Sequence, residues 1–293
     1  MSTKYLLIGS TGMLGKAFMD VSHKEGNEII GIARSGADVN IDISDAPTLQ
    51  KTLNRIKPNM IINTAAIANL DYCETHPSEA YLINTRPSAI LADYCRQNNV
   101  YLIHISTDQF FSGDKRAKHD EKSPVTLLNE YARTKYLAEK LVETHLDSLI
   151  IRTNIVGFRG LKTSQSFIEW IIDSLKRGKP LILFDDYYTS SIDVSALSKI
   201  ILDLTSIGAK GLFNVGSREV SSKKEFILQF ASQFGYTVSN AKTGTIHDLK
   251  GVHRCESLGL DVSEVEHLLG YRMPLLDEVI MSLHNEYMKR ELP

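Results

Sequence analysis

A tyrosine and a lysine four residues apart, in Tyr131-Ala-Arg-Thr-Lys135, have the types and the spacing to act on one substrate. Positions i and i+4 share a helix face, so a phenol and an ammonium there approach from the same side. Delivering hydride to a carbonyl needs a proton donor for the developing alkoxide, and oxidising an alcohol needs a base at the same place. A phenol serves both ways when a nearby cation favours its phenolate, and Lys135 is that cation. A hydroxyl near the end of a strand completes such a site by hydrogen-bonding the substrate oxygen. Thr107 is the candidate, with Ser106 as the neighbour able to replace it.

The elements that must position these groups are legible as apolar runs alternating with helix-period segments. Strands are predicted at Tyr5 to Ile8, Glu28 to Ala33, Met60 to Asn63, Tyr101 to Ser106 and Leu149 to Thr153, with helices at Met13 to Ser22, Thr48 to Lys57, Ser78 to Asn98 and Tyr131 to His145. This β-α alternation implies an α/β fold with a Rossmann-type, doubly wound parallel sheet. After Arg152 the pattern loosens, with helices at Ser164 to Arg177, Val194 to Leu204, Lys223 to Phe234 and Leu276 to Lys289. Short strands at Leu181 to Phe184 and Leu212 to Val215 lie among them. The division expected is a dinucleotide-binding domain over 1–153 and a smaller substrate lobe over 154–293, with some segments returning to the main sheet. The polar stretch Ser112 to Leu128, broken by Gly113 and Pro124, reads as a loop near the active site.

Between the first strand and the first helix stands Gly9-Ser-Thr-Gly12-Met-Leu-Gly15. In that context the glycines have distinct roles: Gly9 for a tight turn, Gly12 for close approach of a pyrophosphate, Gly15 for packing helix on strand. Thr11, Met13 and Leu14 complete the candidate cofactor turn, whose amides face the phosphates. Tyr131 and Lys135 then also become cofactor neighbours, Lys135 holding the nicotinamide ribose. The second strand ends Gly31-Ile-Ala33-Arg34-Ser35, with no carboxylate to accept from a ribose diol. Arg34 and Ser35 suit a 2'-phosphate, which favours NADP(H) over NAD(H). Asp42, followed by Ile43, is a candidate adenine contact or the cap of the next helix.

Length and composition limit the alternatives. A chain of 293 residues can bury a large core, and 43% hydrophobic and 23% charged residues with a net charge of -2 point to neither nucleic acid nor an acidic membrane surface. Cys73, Cys95 and Cys255 have no disulfide framework or metal-ligand spacing, and the nine histidines lack a His-x-x-x-His pattern, so no metal is expected. The apolar run near the N-terminus is too short for a signal-peptide core, and a cytoplasmic protein is the expectation.

These residues resemble the extended short-chain dehydrogenase/reductases, and among them the dTDP-4-dehydrorhamnose reductase group. The resemblance rests on the glycine turn, Ile62-Asn-Thr-Ala-Ala66, Asn84, Ser106-Thr-Asp108, Tyr131-x-x-x-Lys135 and Arg152-Thr153, and extends to Ser257-Leu-Gly-Leu-Asp261. It implies an enzyme acting on a nucleotide-linked 4-keto sugar, with Ala65, Ala66 and Asn84 beside the cofactor. The group usually carries Tyr-Val-Phe-Asp-Gly after Ser-Thr-Asp, where this chain has Gln109-Phe-Phe-Ser-Gly113, a turn expected to line the substrate site. Dehydratases of the superfamily carry an Asp-Glu pair at this point. Gln109 cannot act as a base, which disfavours dehydration.

Ser106, Gln109, Asn154 and Arg159 are the candidate substrate contacts. Arg152 and Arg159, with Lys162, could attract a diphosphate or be surface charges. Trp170, Phe184, Tyr187 and Tyr188 could stack on a base or pack in a core or interface. Two other functions share the pattern: a regulatory subunit that holds cofactor without catalysis, and a sugar-nucleotide epimerase. A homodimer is the common form for soluble enzymes.

Overall fold

The structure is a computed structural model that describes residues 4–24, 26–160 and 164–291. In chain order the elements are β1 (Lys4–Ile8), α1 (Met13–Lys24), β2 (Glu28–Ala33), β3 (Val39–Asn40), α2 (Ala46–Ile56), β4 (Met60–Asn63), α3 (Leu70–Thr75), α4 (Pro77–Asn84), α5 (Arg86–Asn98), β5 (Tyr101–Ile105), β6 (Lys118–His119) and α6 (Glu130–Val142). There follow β7 (Ser148–Arg152), β8 (Asn154–Val156), α7 (Phe167–Lys176), β9 (Leu181–Phe184), β10 (Tyr188–Thr189), β11 (Ser191–Asp193) and α8 (Val194–Ser206). The chain ends with β12 (Gly211–Asn214), β13 (Ser221–Ser222), α9 (Lys223–Gln233), β14 (Ala241–Gly244), β15 (Ser257–Leu260), α10 (Ser263–Leu269) and α11 (Leu276–Glu291). Contacts divide the chain into two compact units, one of Met1–Thr107, Leu127–Arg152 and Ser198–Phe213, the other of Asp108–Thr126, Thr153–Leu197 and Asn214–Pro293.

The first unit is built on a seven-stranded sheet in the order β12-β7-β5-β4-β1-β2-β3, and from β7 to β3 every pair is parallel. Every residue of β4 and β7 is buried, which is why these strands read as unbroken apolar runs rather than alternating ones. Leu6, Ile8, Ile32, Leu49, Leu53, Ile61, Leu91 and Leu102 form its core.

One helix differs from expectation. The single helix predicted over Ser78 to Asn98 is two helices, α4 and α5, and α3 precedes them. Pro77 and Pro87 each stand in the first turn of a helix, where a missing N–H costs nothing, but neither can continue the ladder of a preceding helix. The strand predicted at Leu212 to Val215 is β12, at the edge of the main sheet. The Tyr101 hydroxyl donates to the Ala209 carbonyl and Lys210 pairs with Asp147, tying this return segment to β5 and to the start of β7.

The second unit contains a four-stranded sheet, β13-β10-β15-β6, with two further strand pairs, β8 with β11 and β9 with β14. β6 lies inside the stretch read as a loop and pairs in parallel with β15. Ile168, Ile171, Phe226, Phe230, Val279 and Leu283 are buried together in its core. Ser166 with Glu169 and Ser222 with Glu225 close reciprocal capping boxes that start α7 and α9.

Candidate active site

The chain leaves β1 towards β2 and β3 and returns to β4 on the opposite side, so the sheet order reverses at β1. Ligands of open parallel sheets bind outside the carboxyl ends of the strands at such a reversal. Gly9 follows β1 there with φ +89°, and a Cβ on it would lie 2.7 Å from Thr64 Oγ1 and 2.9 Å from the Ala65 nitrogen. A Cβ on Gly15 would lie 2.2 Å from the Gly9 carbonyl oxygen. Both positions therefore require glycine, one for conformation and clearance, the other for helix contact. Thr11, Gly12, Met13 and Leu14 carry this turn into α1, whose first N–H groups have no partner within the helix. A tight glycine turn ending in such amides fits a dinucleotide pyrophosphate.

At the carboxyl end of β2, Arg34 and Ser35 are exposed. Asp42 accepts from the backbone and hydroxyl of Ser44, at 2.8 and 2.7 Å, which with the nearby Arg34 charge holds its carboxyl below the usual range. Asp45, not Asp42, caps α2. A carboxylate does reach β2, from beyond the strand: Asp38 Oδ2 accepts from the Gly31 nitrogen at 2.7 Å. Ala65 is half-buried and Ala66 exposed, while Ile43 is buried.

On α6 the chemistry-bearing residues form a stripe at i, i+4 and i+8. Tyr131, Lys135 and Glu139 are 8%, 2% and 0% exposed. Tyr131 packs with Cys73 and Ala80. The Lys135 ammonium donates to the Ile105 carbonyl at 2.6 Å and lies 3.3 Å from His104 Nε2. Burial pushes this amine down to about 8 although Glu139 pulls the other way. Burial, then the Lys135 charge, hold His104 well below the usual histidine range, so its ring is neutral. Glu139 accepts from Ser106 Oγ at 2.5 Å and from Arg152 Nε and Nη2 at 3.0 and 2.9 Å. Thr107, 4% exposed, follows Ser106 at the end of the same strand.

The second unit carries its own polar cluster. Asp108 is 1% exposed; its Oδ2 accepts from Asn154 Nδ2 at 2.7 Å and its Oδ1 from Gln109 Nε2 at 3.3 Å. Burial lifts the Asp108 carboxyl to about 6, against the pull of those hydrogen bonds and of the Lys223 charge. Ser191 Oγ donates to Asn154 Oδ1 at 2.8 Å, fixing which way that amide faces. Lys223, the first residue of α9, has its amine lowered to about 8 by burial, with Asp108 acting in the opposite sense. Burial also raises the Tyr187 phenol, which interacts with Asp108, Gln109 and Arg254.

The family model described as the RmlD substrate binding domain matches residues 3–287. The chain belongs to this family. It is an oxidoreductase of the extended short-chain dehydrogenase/reductase type. A probable low-salt glycan biosynthesis reductase of Haloferax volcanii is 27% identical over 286 residues, 94% of this chain and 95% of the relative. The methionine adenosyltransferase 2 subunit beta of Mus musculus is 25% identical over 293 residues, 96% of this chain and 87% of the relative. Among solved structures, the dTDP-4-dehydrorhamnose reductase of Bacillus anthracis in complex with NADP superposes with a TM-score of 0.88. It is 24% identical, and the match covers 98% of this chain and all of the other.

Within this RmlD-family chain several residues have duties that the sequence did not reveal. The Ser106 hydroxyl and Arg152 are both engaged by Glu139, so Arg152 is neither a surface charge nor a cation open to a diphosphate. Asn84 is 1% exposed; its amide clasps the Ile67 backbone in both directions, at 2.7 and 3.0 Å, and donates to Thr134 Oγ1 at 3.0 Å. It fixes the segment after β4 against α6. Arg159 donates to Ser164 Oγ at 2.6 Å, and Lys162 lies outside the described residues. His104, Glu139, Asp108 and Lys223 were not singled out as site members. For His104 the signal was present: a histidine inside the otherwise apolar β5, level with the lysine of α6.

Proposed function

We propose that this chain is an NADP(H)-dependent reductase of a nucleotide-activated 4-keto-deoxysugar, with NAD(H) as a weaker cofactor. When bound, the nicotinamide supplies the hydride. Tyr131 gives the proton to the oxygen of the reduced carbon, and Thr107 holds that oxygen by its hydroxyl. Lys135 keeps a positive charge on the same helix face and holds the nicotinamide ribose. Gly9, Thr11, Gly12, Met13, Leu14 and Gly15 cradle the pyrophosphate; Arg34 and Ser35 receive the 2'-phosphate; Asp42, Ile43, Ala65 and Ala66 border the cofactor. Asn84 serves by holding the segment that carries these alanines. Ser106, Gln109, Asn154 and Arg159 contact the sugar, Gln109 and Asn154 being oriented by Asp108. The reaction belongs in the cytoplasm.

The observation that carries this reading is the buried Tyr131-Lys135-Glu139 stripe, each member with a defined environment at the carboxyl edge of a sheet that reverses at a glycine turn. A buried lysine held at about 8 beside a neutral histidine belongs to a prepared site more than to a surface helix. Purified protein is expected to oxidise NADPH, followed by nicotinamide absorbance, with at least one member of a panel of nucleotide 4-keto sugars. No oxidation across the panel removes the reading.

The likeness to a methionine adenosyltransferase subunit over nearly the whole chain supports a second function, a cofactor-holding regulatory subunit. NADPH binding without turnover, together with co-purification of an unrelated enzyme, would select it.

A further inference from the structure

We propose that Lys223 is the residue with which the second unit recognises a hydroxyl or carbonyl oxygen of a neutral sugar ring, Asp108 serving as its counter-charge. The proposal rests on the nucleotide-sugar reading above and names a contact that reading does not contain.

Lys223 opens α9 directly after the capping Ser222, and its backbone nitrogen donates to the Tyr187 carbonyl at 2.9 Å, so its place on the backbone is fixed. The ammonium lies among aromatic rings, 4.5 Å from the centroid of Phe167, 5.7 Å from Tyr187 and 5.9 Å from Phe226. Rings attract a cation but offer no lone-pair oxygen to its three donors. Among the described residues no hydrogen bond to this ammonium is found, whereas the neighbouring Lys224 donates to Thr243 at 3.0 Å and lies 3.6 Å from Asp185. Lys223 is half-buried, so its unused donors face water on the side the rings leave open, and a ligand oxygen entering there would take the place of that water. Packing among these rings is also what lowers the amine to about 8, against the pull of Asp108.

Charge and shape select the ligand class. The carboxylate acting on Lys223 is Asp108, buried and already holding Asn154 and Gln109, so the pair is close to neutral, offers a diphosphate no net attraction and suits an uncharged polyol. Arg254 acts on Tyr187 but hydrogen-bonds the Val252 carbonyl at 3.0 Å, which leaves Lys223 as the donor-rich group of this cluster. Apolar ring surface beside polar groups is the lining that a sugar, with C–H faces and hydroxyl edges, requires.

The test is calorimetric binding to the NADP-loaded full chain, using dTDP-glucose and UDP-glucose, each against its bare nucleoside diphosphate. Lys223→Met should weaken the sugar nucleotides about tenfold, the loss of one charge-assisted hydrogen bond. It should leave the bare diphosphates and NADPH within about twofold. Lys223→Arg, which keeps charge and donors, should retain sugar-nucleotide affinity to within about threefold. Equal weakening of the bare diphosphates would assign Lys223 to phosphate, and either that result or unchanged sugar-nucleotide binding overturns the proposal. An Arg variant as weak as the Met variant overturns it as well, by showing that volume rather than charge matters. If the unsubstituted protein binds none of these nucleotides, the reductase reading falls, a result distinct from a normal protein whose Lys223 variants behave alike.

Discussion

Lys135 in the first unit and Lys223 in the second begin alike and end differently. Each sits in the first half of a helix, and each has its amine pushed down to about 8 by burial. Lys135, 2% exposed, is hydrogen-bonded to the Ile105 carbonyl and faces His104. Lys223 is surrounded by three aromatic rings and hydrogen-bonded by nothing among the described residues. The first unit closes its polar groups on one another, building a rigid face from α6, β5 and β7. The second leaves a donor unused. Groups that act on a cofactor and a reacting carbon need fixed geometry, whereas a group that recognises a ligand needs capacity in reserve.

The largest expected effect breaks the first side of this comparison. Tyr131→Phe should lower turnover roughly a thousandfold, the range for loss of a positioned acid, while fluorescence titration shows NADPH binding little changed. Turnover within a few-fold of the unsubstituted enzyme would remove Tyr131 from the chemistry. Next comes Glu139→Gln, which leaves the Arg152 charge buried without its counter-ion and should cost about 3 kcal/mol in urea unfolding. A cost near zero would mean that the Ser106-Glu139-Arg152 network does not hold the strand ends.

In the second unit, Asp108 provides a pH test. Its folded carboxyl, near 6, binds a proton more tightly than an unfolded aspartate at 3.8, so its ionised form burdens the fold above that window. Stability should rise from this group as pH falls from about 6 to about 4, by about 2 kcal/mol, and Asp108→Asn should remove that rise in denaturation curves. The two lysines have the opposite sign. With folded values near 8 against 10.5, the unfolded chain binds more protons between those limits, and stability should increase as pH rises through them. The smallest effect separates the pair directly. Mass spectrometry after brief reductive methylation near pH 8 should find Lys223 modified roughly tenfold faster than Lys135, whose amine is hydrogen-bonded and enclosed. Equal rates would erase the distinction.

Much of the first unit was legible because each decisive feature is local. A glycine turn between a strand and a helix, and a Tyr and Lys at helical spacing, are set by neighbours in the chain, and the strands of the parallel sheet are apolar throughout because they are buried on both faces. What escaped were pairings across long separations. Glu139 reads as an ordinary helical acid until Ser106, just past β5, and Arg152, the last residue of β7, converge on it. Asp38 lies seven residues from Gly31, and only the path of the loop brings it back to the strand. The cluster of Asp108, Asn154, Tyr187 and Lys223 draws on four separate segments, and no spacing announces it. Pro87 stands inside the apolar periodicity of Ser78 to Asn98, and its missing N–H divides that run into two helices although the pattern continues through it.

The central claim, hydride transfer to a sugar carbon with Tyr131 as acid, is tested most directly by label transfer. NADPH carrying deuterium at nicotinamide C4, prepared separately in each stereochemical form, is incubated with a nucleotide 4-keto sugar and the product examined by mass spectrometry and NMR. One form should place a single deuterium on the former keto carbon, with the unsubstituted protein and not with Tyr131→Phe. A sugar recovered unreduced and unlabelled with both forms, or labelled equally well by the phenylalanine variant, would contradict the account.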